Sequence, residues 1–381
     1  MTFFAQPCIT QMRIGLVCPY NLGLGGGVQE CVLASQHELS RRGHFVKIIT
    51  PRSKEAQRKN LKNVILIGTG TDIKSPFSTT AQLSASTSSE EIQIVLNENK
   101  FDILHFHEPW VPMLSRQILT KSNCINIATF HAHIPDGVMS KMIERAITPY
   151  TSSILKSFHA FTAVSEAAAE YANSLSDLDI KVIPNGIDLS KYRHKRKADV
   201  TREKLVLYIG RLEKRKGVKY LIDAFARLNE PNCKLIIAGE GPYRKKLESR
   251  VIQLGLNTVE FLGYINESDK IELYRKADVF SSPAIYGESF GIVLLEAMAC
   301  GTPIVAANNP GYVSVLQDRG MISLVNPKDT EQYARRLSLL LNDNYLVALW
   351  RKWASIYIKQ FDYKNIIDQY ERLYNDLMNA K

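Results

Sequence analysis

Short apolar runs alternate with longer amphipathic stretches along most of this chain, from Arg13 to about residue 329. The alternation is typical of βα units, in which successive strands pair in parallel and helices cover the sheet. The sequence therefore predicts an α/β fold. Strands are predicted at 13–18, 45–50, 64–67, 102–106, 125–130, 160–164, 180–183, 204–209, 233–238, 259–262, 278–281, 303–307 and 321–325. Helices are predicted to begin near Val28, Ser89, Val138 and Ser165, and to cover 217–228, 242–254, 268–276, 329–341, 345–358 and 363–379.

The 381 residues exceed the usual length of one domain, so two domains that share a groove are expected. The polar run at 191–204 has no apolar periodicity and is predicted to link them, with the boundary near 195. After about residue 329 the pattern becomes wholly helical, and the last helix could pack back onto the first domain. Residues 75–89 hold nine Ser/Thr in fifteen positions and are predicted to be a mobile loop, ending in a cap for a helix that starts at Glu90.

Composition excludes several classes of protein. The chain is 45% hydrophobic and 23% charged, and charges interrupt every apolar run, which excludes a disordered chain and a membrane span. The six cysteines have no close pair, so we expect neither a disulfide scaffold nor a CxxC zinc site, but reduced thiols in the cytoplasm. The first eleven residues lack a basic charge and an apolar core, so no signal peptide is expected. We expect either that Met12 is the native start or that this extension is disordered.

The net charge of +10 is concentrated in local clusters rather than in one half of the chain. Residues 41–62 hold eight Lys/Arg against one acid, and 191–197 form a second basic run. Such clusters can contact phosphates, anionic lipid headgroups or nucleic acid. They are equally compatible with a solvated face and a charged linker.

The first strand leads into the glycine-rich turn NLGLGGGVQECV, where Gly25, Gly26 and Gly27 open a helix. Glycines there let the backbone approach a ligand, and the helix N-terminus offers free N–H groups to an anion. The spacing does not fit G-x-G-x-x-G, and Thr50 and Pro51 stand where a dinucleotide site would need an acid. The turn therefore indicates either close approach of a ligand or only a tight βα connection.

In the second half, Arg211 follows a predicted strand and Lys216 precedes the next helix. The carboxyl ends of parallel strands are where α/β sheets bind ligands. A planar guanidinium and a mobile ammonium together suit a diphosphate. The alternative is a pair of solvated surface charges.

The segment YGESFGIVLLEAMACG at 286–301 carries two carboxylates, Glu288 and Glu296, around a helix start. If both were helical, a rise of about 1.5 Å per residue would place them about 12 Å apart along the axis, roughly the reach of a sugar, a diphosphate and a ribose. The backbone N–H groups of Phe290, Gly291 and Ile292 would then face the phosphates. The alternative makes Glu288 a partner of the helix dipole and Glu296 a surface residue.

Two HxH pairs, His105/His107 and His131/His133, end apolar strands. Alternate residues of a strand face the same way, so each pair could converge on a metal ion. Together with Glu108 and Asp136 they suggest a metal-dependent hydrolase as a rival function. A single histidine at a strand end can also serve a substrate hydroxyl or phosphate without a metal.

Taken together, these motifs resemble those of the retaining family-4 glycosyltransferases of GT-B fold, and the resemblance extends over essentially the whole chain from Met12. It rests on GGGVQ (25–29), FHAH (130–133), VIPNGID (182–188), GRLEKRKG (210–217), AGEGP (238–242) and ESFGIVLLEAMACGTPIVA (288–306). Within the family, the opening MRIGLVCPYNLGLGGGVQ is most similar to phosphatidylinositol mannosyltransferases.

The resemblance implies two Rossmann-like domains that face each other across a cleft, followed by a helical C-terminal region. Residues 1–195 would form the acceptor domain, 196–359 the nucleotide-sugar donor domain, and 360–381 a terminal helix that could cross back to the first domain.

The resemblance also implies roles for the motif residues. Arg211 and Lys216 would bind the donor diphosphate, Glu296 the ribose and Glu288 the transferred sugar, while His131 would lie near the reacting sugar. Gly25 to Gly27 would approach the phosphates from the first domain. The chemistry would need no cofactor and no metal, so neither HxH pair would be a metal site.

The implied substrates are GDP-mannose, or another nucleotide-sugar, and a lipid or glycan acceptor such as phosphatidylinositol. We expect no nucleic-acid partner. A cytoplasmic enzyme, peripheral at the inner face of the membrane, would fit an amphipathic stretch at 138–159, although that stretch could equally face the core. The alternatives are a UDP-glucose-dependent glycolipid or polysaccharide enzyme, the metal-dependent hydrolase, and a non-catalytic module that binds sugar nucleotides.

Overall fold

The computed structural model describes residues 11–23, 25–53, 56–57, 62–74, 80–85, 87–111, 113–132, 153–192 and 203–380. Several predictions lie outside these ranges. They concern the N-terminal extension up to residue 10, His133, Asp136, most of the amphipathic stretch (138–152) and the linker residues 193–202 with the domain boundary near 195.

The first half of the chain forms a seven-stranded parallel sheet in the order β3-β2-β1-β6-β7-β8-β9. Its strands are β1 (Arg13–Val17), β2 (Phe45–Pro51), β3 (Val64–Ile67), β6 (Ile103–His107), β7 (Ile125–Phe130), β8 (Ala160–Ala163) and β9 (Ile180–Val182). The strands β4 (Thr69–Lys74) and β5 (Thr80–Ala85) are not part of this sheet and form a separate antiparallel hairpin. Its numbered helices are α1 (Gly27–Arg41), α2 (Ser89–Asn99), α3 (Leu114–Leu119) and α4 (Glu166–Leu175).

The second half repeats this arrangement in a six-stranded parallel sheet, ordered β12-β11-β10-β13-β14-β15. Its strands are β10 (Lys204–Ile209), β11 (Cys233–Ala238), β12 (Val259–Gly263), β13 (Val279–Ser282), β14 (Ile304–Ala307) and β15 (Leu324–Val325). Its helices are α5 (Val218–Phe225), α6 (Arg244–Gln253), α7 (Glu267–Lys276), α8 (Ile292–Ala299), α9 (Pro310–Val315), α10 (Thr330–Asn342), α11 (Asn344–Tyr357) and α12 (Tyr363–Asn379). The predicted α/β architecture with a helical C-terminal region is confirmed.

In each sheet the strand order reverses beside the first strand, between β1 and β6 and between β10 and β13. Such a switch point leaves a crevice at the carboxyl ends of the strands, because the following connections depart to opposite faces. The glycine-rich turn follows β1, and Arg211 follows β10. The topology thus places both motifs at the two crevices.

Two predicted elements differ from the structure. The Ser/Thr-rich loop at 75–89 is wrong for residues 80–85, because they pair with 69–74 as strand β5 of the hairpin. Its predicted cap is present, since the Ser88 side chain accepts from the Glu91 backbone N–H. The predicted strand 321–325 is reduced to Leu324–Val325 after a 3₁₀ helix at Asp318–Ser323, where Trp350 donates to the Ser323 hydroxyl and holds the segment in the core.

Part of the basic cluster at 41–62 and part of the amphipathic stretch at 138–159 make their contacts within the protein. Arg41 and Arg42 form ion pairs with Glu38, and Arg52 pairs with Glu91, so three of the five described cations of this cluster are matched by acids of the protein. Ile154 and Leu155, two apolar residues of the stretch at 138–159, are buried in the core, which agrees with the core-facing alternative for this part of the stretch. Among the described residues, none of the helices combines the length and the apolar character that a membrane crossing requires.

The terminal helix α12 packs against α1 of the first sheet domain. Arg42, just after α1, donates to Asp368 at 2.6 Å and to Glu371 at 2.5 Å, while the buried His44 lies 2.8 Å from the other oxygen of Glu371. Removal of Glu371 would be costly, because it would leave the buried Nε2 of His44 without this partner and would take one of several acceptors from Arg42. The last helix therefore forms part of the first domain's core.

We expect Glu371→Ala to lower the free energy of unfolding by about 1–3 kcal/mol, because Arg42 and His44 lose a shared buried acceptor. Urea denaturation followed by circular dichroism measures the change.

The matched control is Glu331→Ala, which removes an ion pair with Arg335 whose side chains are 71% and 66% exposed. Exposed pairs of this kind contribute only about 0.3–0.5 kcal/mol. Equal losses in the two variants would contradict the role of Glu371.

Candidate active site

The glycine-rich turn of the first domain faces the start of α8 in the second. A Cβ atom built on Gly27 would lie 3.3 Å from the Ile292 Cδ1, so a side chain there would press on the opposite domain. Beside this contact the Ser165 hydroxyl donates to the backbone carbonyl of Ser289. The N-terminus of α1 and that of α8 therefore meet at one cleft, where both offer backbone N–H groups.

Glu288 is held at this cleft by two cations from the turn after β10. Its Oε1 accepts from the Lys216 ammonium at 2.6 Å and from the Arg215 guanidinium at 2.8 Å. Burial acts to raise the pKa of Glu288, but Lys216 and Arg215 outweigh it and leave the pKa below its ordinary value. The carboxylate is therefore ionised near pH 7 and can accept hydrogen bonds from a bound hydroxyl.

The turn itself depends on Gly217, whose φ of +67° is in the left-handed region. A Cβ atom there would also lie 2.1 Å from the backbone oxygen of Pro283, on the loop after β13. Only glycine fits this position. The close approach brings Lys216 to the loop that carries Glu288.

Arg211 occupies a different position from Lys216. Its side chain is 54% exposed and pairs with Glu213 at 3.1 Å, on the open side of the turn. The buried cation of the motif is Arg215, which bridges Glu213 at 2.8 Å and Glu288 and also donates to the Gly287 carbonyl at 3.1 Å. Sequence reasoning missed Arg215, because GRLEKRKG contains four cations and nothing in its spacing shows which one is buried.

Glu296 lies on α8 and is buried, which makes the surface alternative for this residue wrong. Its Oε1 accepts from Lys270 at 2.6 Å and its Oε2 from the Tyr274 hydroxyl at 2.9 Å. Burial raises the pKa of Glu296, partly offset by Lys270. Both partners come from α7, and the sequence carried no signal for them.

The two carboxylates do not share one helix. Because α8 begins at Ile292, Glu288 lies in the preceding loop, and the spacing of about 12 Å that assumed a helical Glu288 does not apply. Gly291 is the N-cap with a φ of +111°, and the Phe290 side chain is buried. At Phe290 and Gly291 only the backbone is therefore placed to meet a ligand, whereas Ile292 also has a side chain at the interdomain cavity.

His131 directly follows β7 and is buried. Its Nε2 lies 2.9 Å from the Nδ1 of His107, and its backbone N–H donates to the Glu108 carboxylate. Burial lowers the pKa of His107 to about 3 and that of His131 well below its ordinary range, so both rings are neutral near pH 7. Burial likewise raises the pKa of Glu108 to about 7.

Of the two HxH pairs, only His105/His107 lies wholly within the described residues, and its two rings have different partners. His105 bonds to the Tyr374 hydroxyl at 2.7 Å and to Thr129 at 2.5 Å, a structural role that joins the sheet to α12. The alternative in which His105 and His107 converge on a metal ion is therefore wrong. Within the described part of the chain, the group that could hold a metal takes His107 and His131 from two different strand ends, together with Cys31 of α1.

A cavity of about 720 Å³ opens between the two domains beside α8. This is within the range of pockets that hold nucleotide-sized ligands. Its lining includes Glu30, Leu33 and Ala34 of α1, Ile292 and Glu296 of α8, and Glu267 of α7. The buried carboxylate Glu296 thus lines an open cavity that is large enough for a ligand.

Two parallel sheets with opposed crevices define the GT-B class of glycosyltransferases. The fold is similar to that of a glycosyltransferase from Rickettsia africae, with a TM-score of 0.77 and 20% identity over 97% of this chain and 100% of that chain. It is also similar to an Anabaena protein in complex with UDP-glucose, with a TM-score of 0.74 and 20% identity over 97% of this chain and 100% of that chain.

Sequence comparison then gives the family. Residues 25–191 match Glycosyltransferase Family 4 and residues 191–355 match Glycosyl transferases group 1. The chain is 32% identical to the phosphatidyl-myo-inositol mannosyltransferase of Mycolicibacterium smegmatis, over 97% of this chain and 95% of that protein. It is 27% identical to the alpha-monoglucosyldiacylglycerol synthase of Streptococcus pneumoniae, over 81% of this chain and 74% of that protein. The chain therefore belongs to the family-4 glycosyltransferases of GT-B fold.

We expect Arg215→Gln to lower the free energy of unfolding by about 3 kcal/mol, because it leaves the buried carboxylates of Glu213 and Glu288 short of a cation. Arg211→Gln is the control from the same turn. Its side chain is 54% exposed, so the expected change is within about 0.5 kcal/mol. Urea denaturation of both variants makes the comparison, and a loss in Arg211→Gln as large as that in Arg215→Gln would refute the assignment of Arg215 as the buried cation.

Proposed function

We propose that this glycosyltransferase transfers a mannosyl unit from GDP-mannose to a lipid acceptor of the phosphatidylinositol type, with retention of anomeric configuration. The observation that carries the proposal is the ionised Glu288 held by Lys216 and Arg215 at the cleft, opposite the glycine-rich turn. Full-length similarity to phosphatidyl-myo-inositol mannosyltransferases supports the choice of sugar and acceptor.

Donor binding uses the cations and helix ends of the cleft. Arg211, exposed at the open side, and Lys216 would contact the diphosphate, and the first N–H groups of α8 would donate to it. Departure of the nucleoside diphosphate develops negative charge on the leaving phosphate. Preplaced cations and N–H groups stabilise that charge, and this role needs neither a metal nor a cofactor.

The two carboxylates would bracket the donor. Glu296 faces the interdomain cavity and would accept from the ribose hydroxyls, while Lys270 and Tyr274 hold it in place. Glu288 is ionised and would accept from a hydroxyl of the transferred sugar. A carboxylate that is already fixed by buried partners loses little conformational entropy when the sugar binds.

The first domain would contribute the turn at Gly25 to Gly27 and the neutral imidazole of His131. Gly25 has open space around its Cα, and Gly27 already approaches α8, so the turn leaves the backbone free to lie against a phosphate. Because the His131 ring is neutral, it can donate or accept one hydrogen bond without adding charge near the reacting sugar. Closure of the domains would expel water that otherwise hydrolyses the donor.

A lipid acceptor requires the enzyme to work at a membrane surface, and we propose peripheral contact with the anionic inner face of the membrane.

The likeness to the Streptococcus pneumoniae glucolipid enzyme favours a second candidate, glucosyl transfer from UDP-glucose to diacylglycerol. The two candidates differ in donor base, sugar and acceptor, so one matched set of substrates separates them.

We expect calorimetric binding of GDP and GDP-mannose in EDTA that is stronger than binding of UDP, ADP or their glucose conjugates. With phosphatidylinositol vesicles the expected product is a mannosylated lipid, and the enzyme should sediment with the vesicles at low salt but not at high salt.

Preference for UDP-glucose, with transfer to diacylglycerol, would replace the first candidate by the second. Loss of all activity in EDTA, restored by a divalent cation, would contradict a metal-independent reaction. Tight binding of a donor without any product would leave only a sugar-nucleotide binding module.

We expect Lys216→Met, Glu288→Gln and His131→Ala to lower kcat by roughly a hundredfold or more, because each removes a group at the reacting end of the donor. GDP binding should survive in His131→Ala, since this residue faces the sugar rather than the nucleotide. Steady-state kinetics and calorimetry separate the two effects.

His159→Ala is the control for His131→Ala, because it also removes a histidine of the first domain. The His159 ring, just before β8, accepts a hydrogen bond from the Asn126 backbone N–H and has no proposed role in the reaction. It should keep wild-type kcat. Wild-type turnover in His131→Ala, or in either cleft variant, would contradict the site assignment.

A further inference from the structure

Three buried side chains of the first domain converge beneath the cleft from different elements. Cys31 lies on α1, His107 ends β6 and His131 follows β7, and each offers one ligand atom within 4.8 Å of the others. All three are buried, with exposures of 3%, 1% and 6%. The glycine-rich turn leads directly into the helix that carries Cys31, so the group links that turn to His131.

One atom of this group has no partner. Nδ1 of His107 is occupied by His131, whereas its Nε2 is buried without a hydrogen-bond partner among the described residues. A buried polar atom left unpaired costs about 1–3 kcal/mol, and such atoms in native proteins often mark a ligand or a functional site. The free nitrogen is therefore an independent indication that something binds here.

The donor set selects the kind of ligand. Two imidazole nitrogens and one cysteine sulfur suit a soft or borderline transition-metal dication, whereas Mg²⁺ and Ca²⁺ require oxygen ligands. Zinc–nitrogen and zinc–sulfur bonds are about 2.1 and 2.3 Å, so neighbouring ligand atoms lie roughly 3.5 Å apart. Because the three ligand atoms lie within 4.8 Å of one another, no pair has to close by much more than roughly 1 Å, which rotation of the side chains can supply.

We propose that Cys31, His107 and His131 form a binding site for Zn²⁺ or a similar soft dication, and that its occupation inhibits the enzyme. The Cys31 thiol releases its proton to solvent as the sulfur–metal bond forms, and the fourth position is left to water. Inhibition rests on the proposed function, because the metal withdraws the His131 ring from the sugar. The metal site itself does not depend on that function.

Cobalt(II) is the direct probe, because a sulfur ligand gives it a charge-transfer absorption in the near ultraviolet. We expect the full-length, chelator-treated wild-type enzyme to bind one equivalent of Co²⁺ with this absorption and to exchange it for Zn²⁺. Cys31→Ser should lose the absorption and bind more than about tenfold more weakly, since even loss of a second-shell partner costs about 10–100-fold. Cys300→Ser, which alters a buried cysteine of the second domain, should match the wild type.

Transfer activity gives the second readout. Zn²⁺ should inhibit the wild type and Cys300→Ser at the concentration where it displaces Co²⁺, and EDTA should restore activity. Cys31→Ser should remain active without metal and resist Zn²⁺ by more than about tenfold. Cys31→Ala serves the same purpose if the serine variant does not fold.

Absence of the charge-transfer absorption in the wild type would overturn the metal site, and so would an unchanged absorption in Cys31→Ser. Equal zinc inhibition of Cys31→Ser and wild type would overturn the inhibitory role. If the enzyme transferred no sugar from any nucleotide, the proposed function would fail, yet cobalt binding would still decide the metal site.

Discussion

The burial of two carboxylates at an interdomain cleft is the constraint on which the rest of the site depends. An ionised carboxylate away from water is costly unless cations and hydrogen-bond donors surround it. The structure meets this requirement twice, with Lys216 and Arg215 at Glu288 and with Lys270 and Tyr274 at Glu296. The first set of contacts joins the turn after β10 to the loop after β13, and the second set joins α7 to α8. A ligand that enters the cleft therefore meets charges whose positions are already fixed.

The fold supplies the second requirement, which is that groups distant in sequence meet at one place. Both sheets have the same reversal of strand order beside their first strand, and each crevice lies at the carboxyl ends of its strands. The contact of Gly27 with Ile292 and the bond of Ser165 to Ser289 bring the crevices together. Helix α12 follows the second domain in the chain but packs on α1 of the first domain, so it connects the two domains. This is the architecture that the family-4 glycosyltransferases share.

Sequence reasoning singled out the glycine-rich turn and Glu288 because they stand just before helix starts, and Glu296 because it is a lone acid in an apolar helical run. It missed Arg215, whose neighbours in GRLEKRKG are chemically equivalent until a structure shows which side chain points inward. It left open that His105 and His107 share a ligand, because alternate strand residues face the same way. The rings do stack at 4.5 Å, but His105 bonds to Tyr374, which is 269 residues away in the chain. No local pattern encodes such a partner.

The sequence by itself determined the two α/β domains, the positions of most strands and helices, and the residue types at the cleft. These follow from hydrophobic periodicity, glycine and charge at element ends, which are local properties of the chain. Only the tertiary structure decided which cation meets which carboxylate, that Ile154 and Leu155 belong to the core, and that His107 and His131 meet Cys31. These outcomes depend on contacts between segments brought together by the topology. Because the polar groups among them are buried, the loss of any one of their contacts would destabilise the fold.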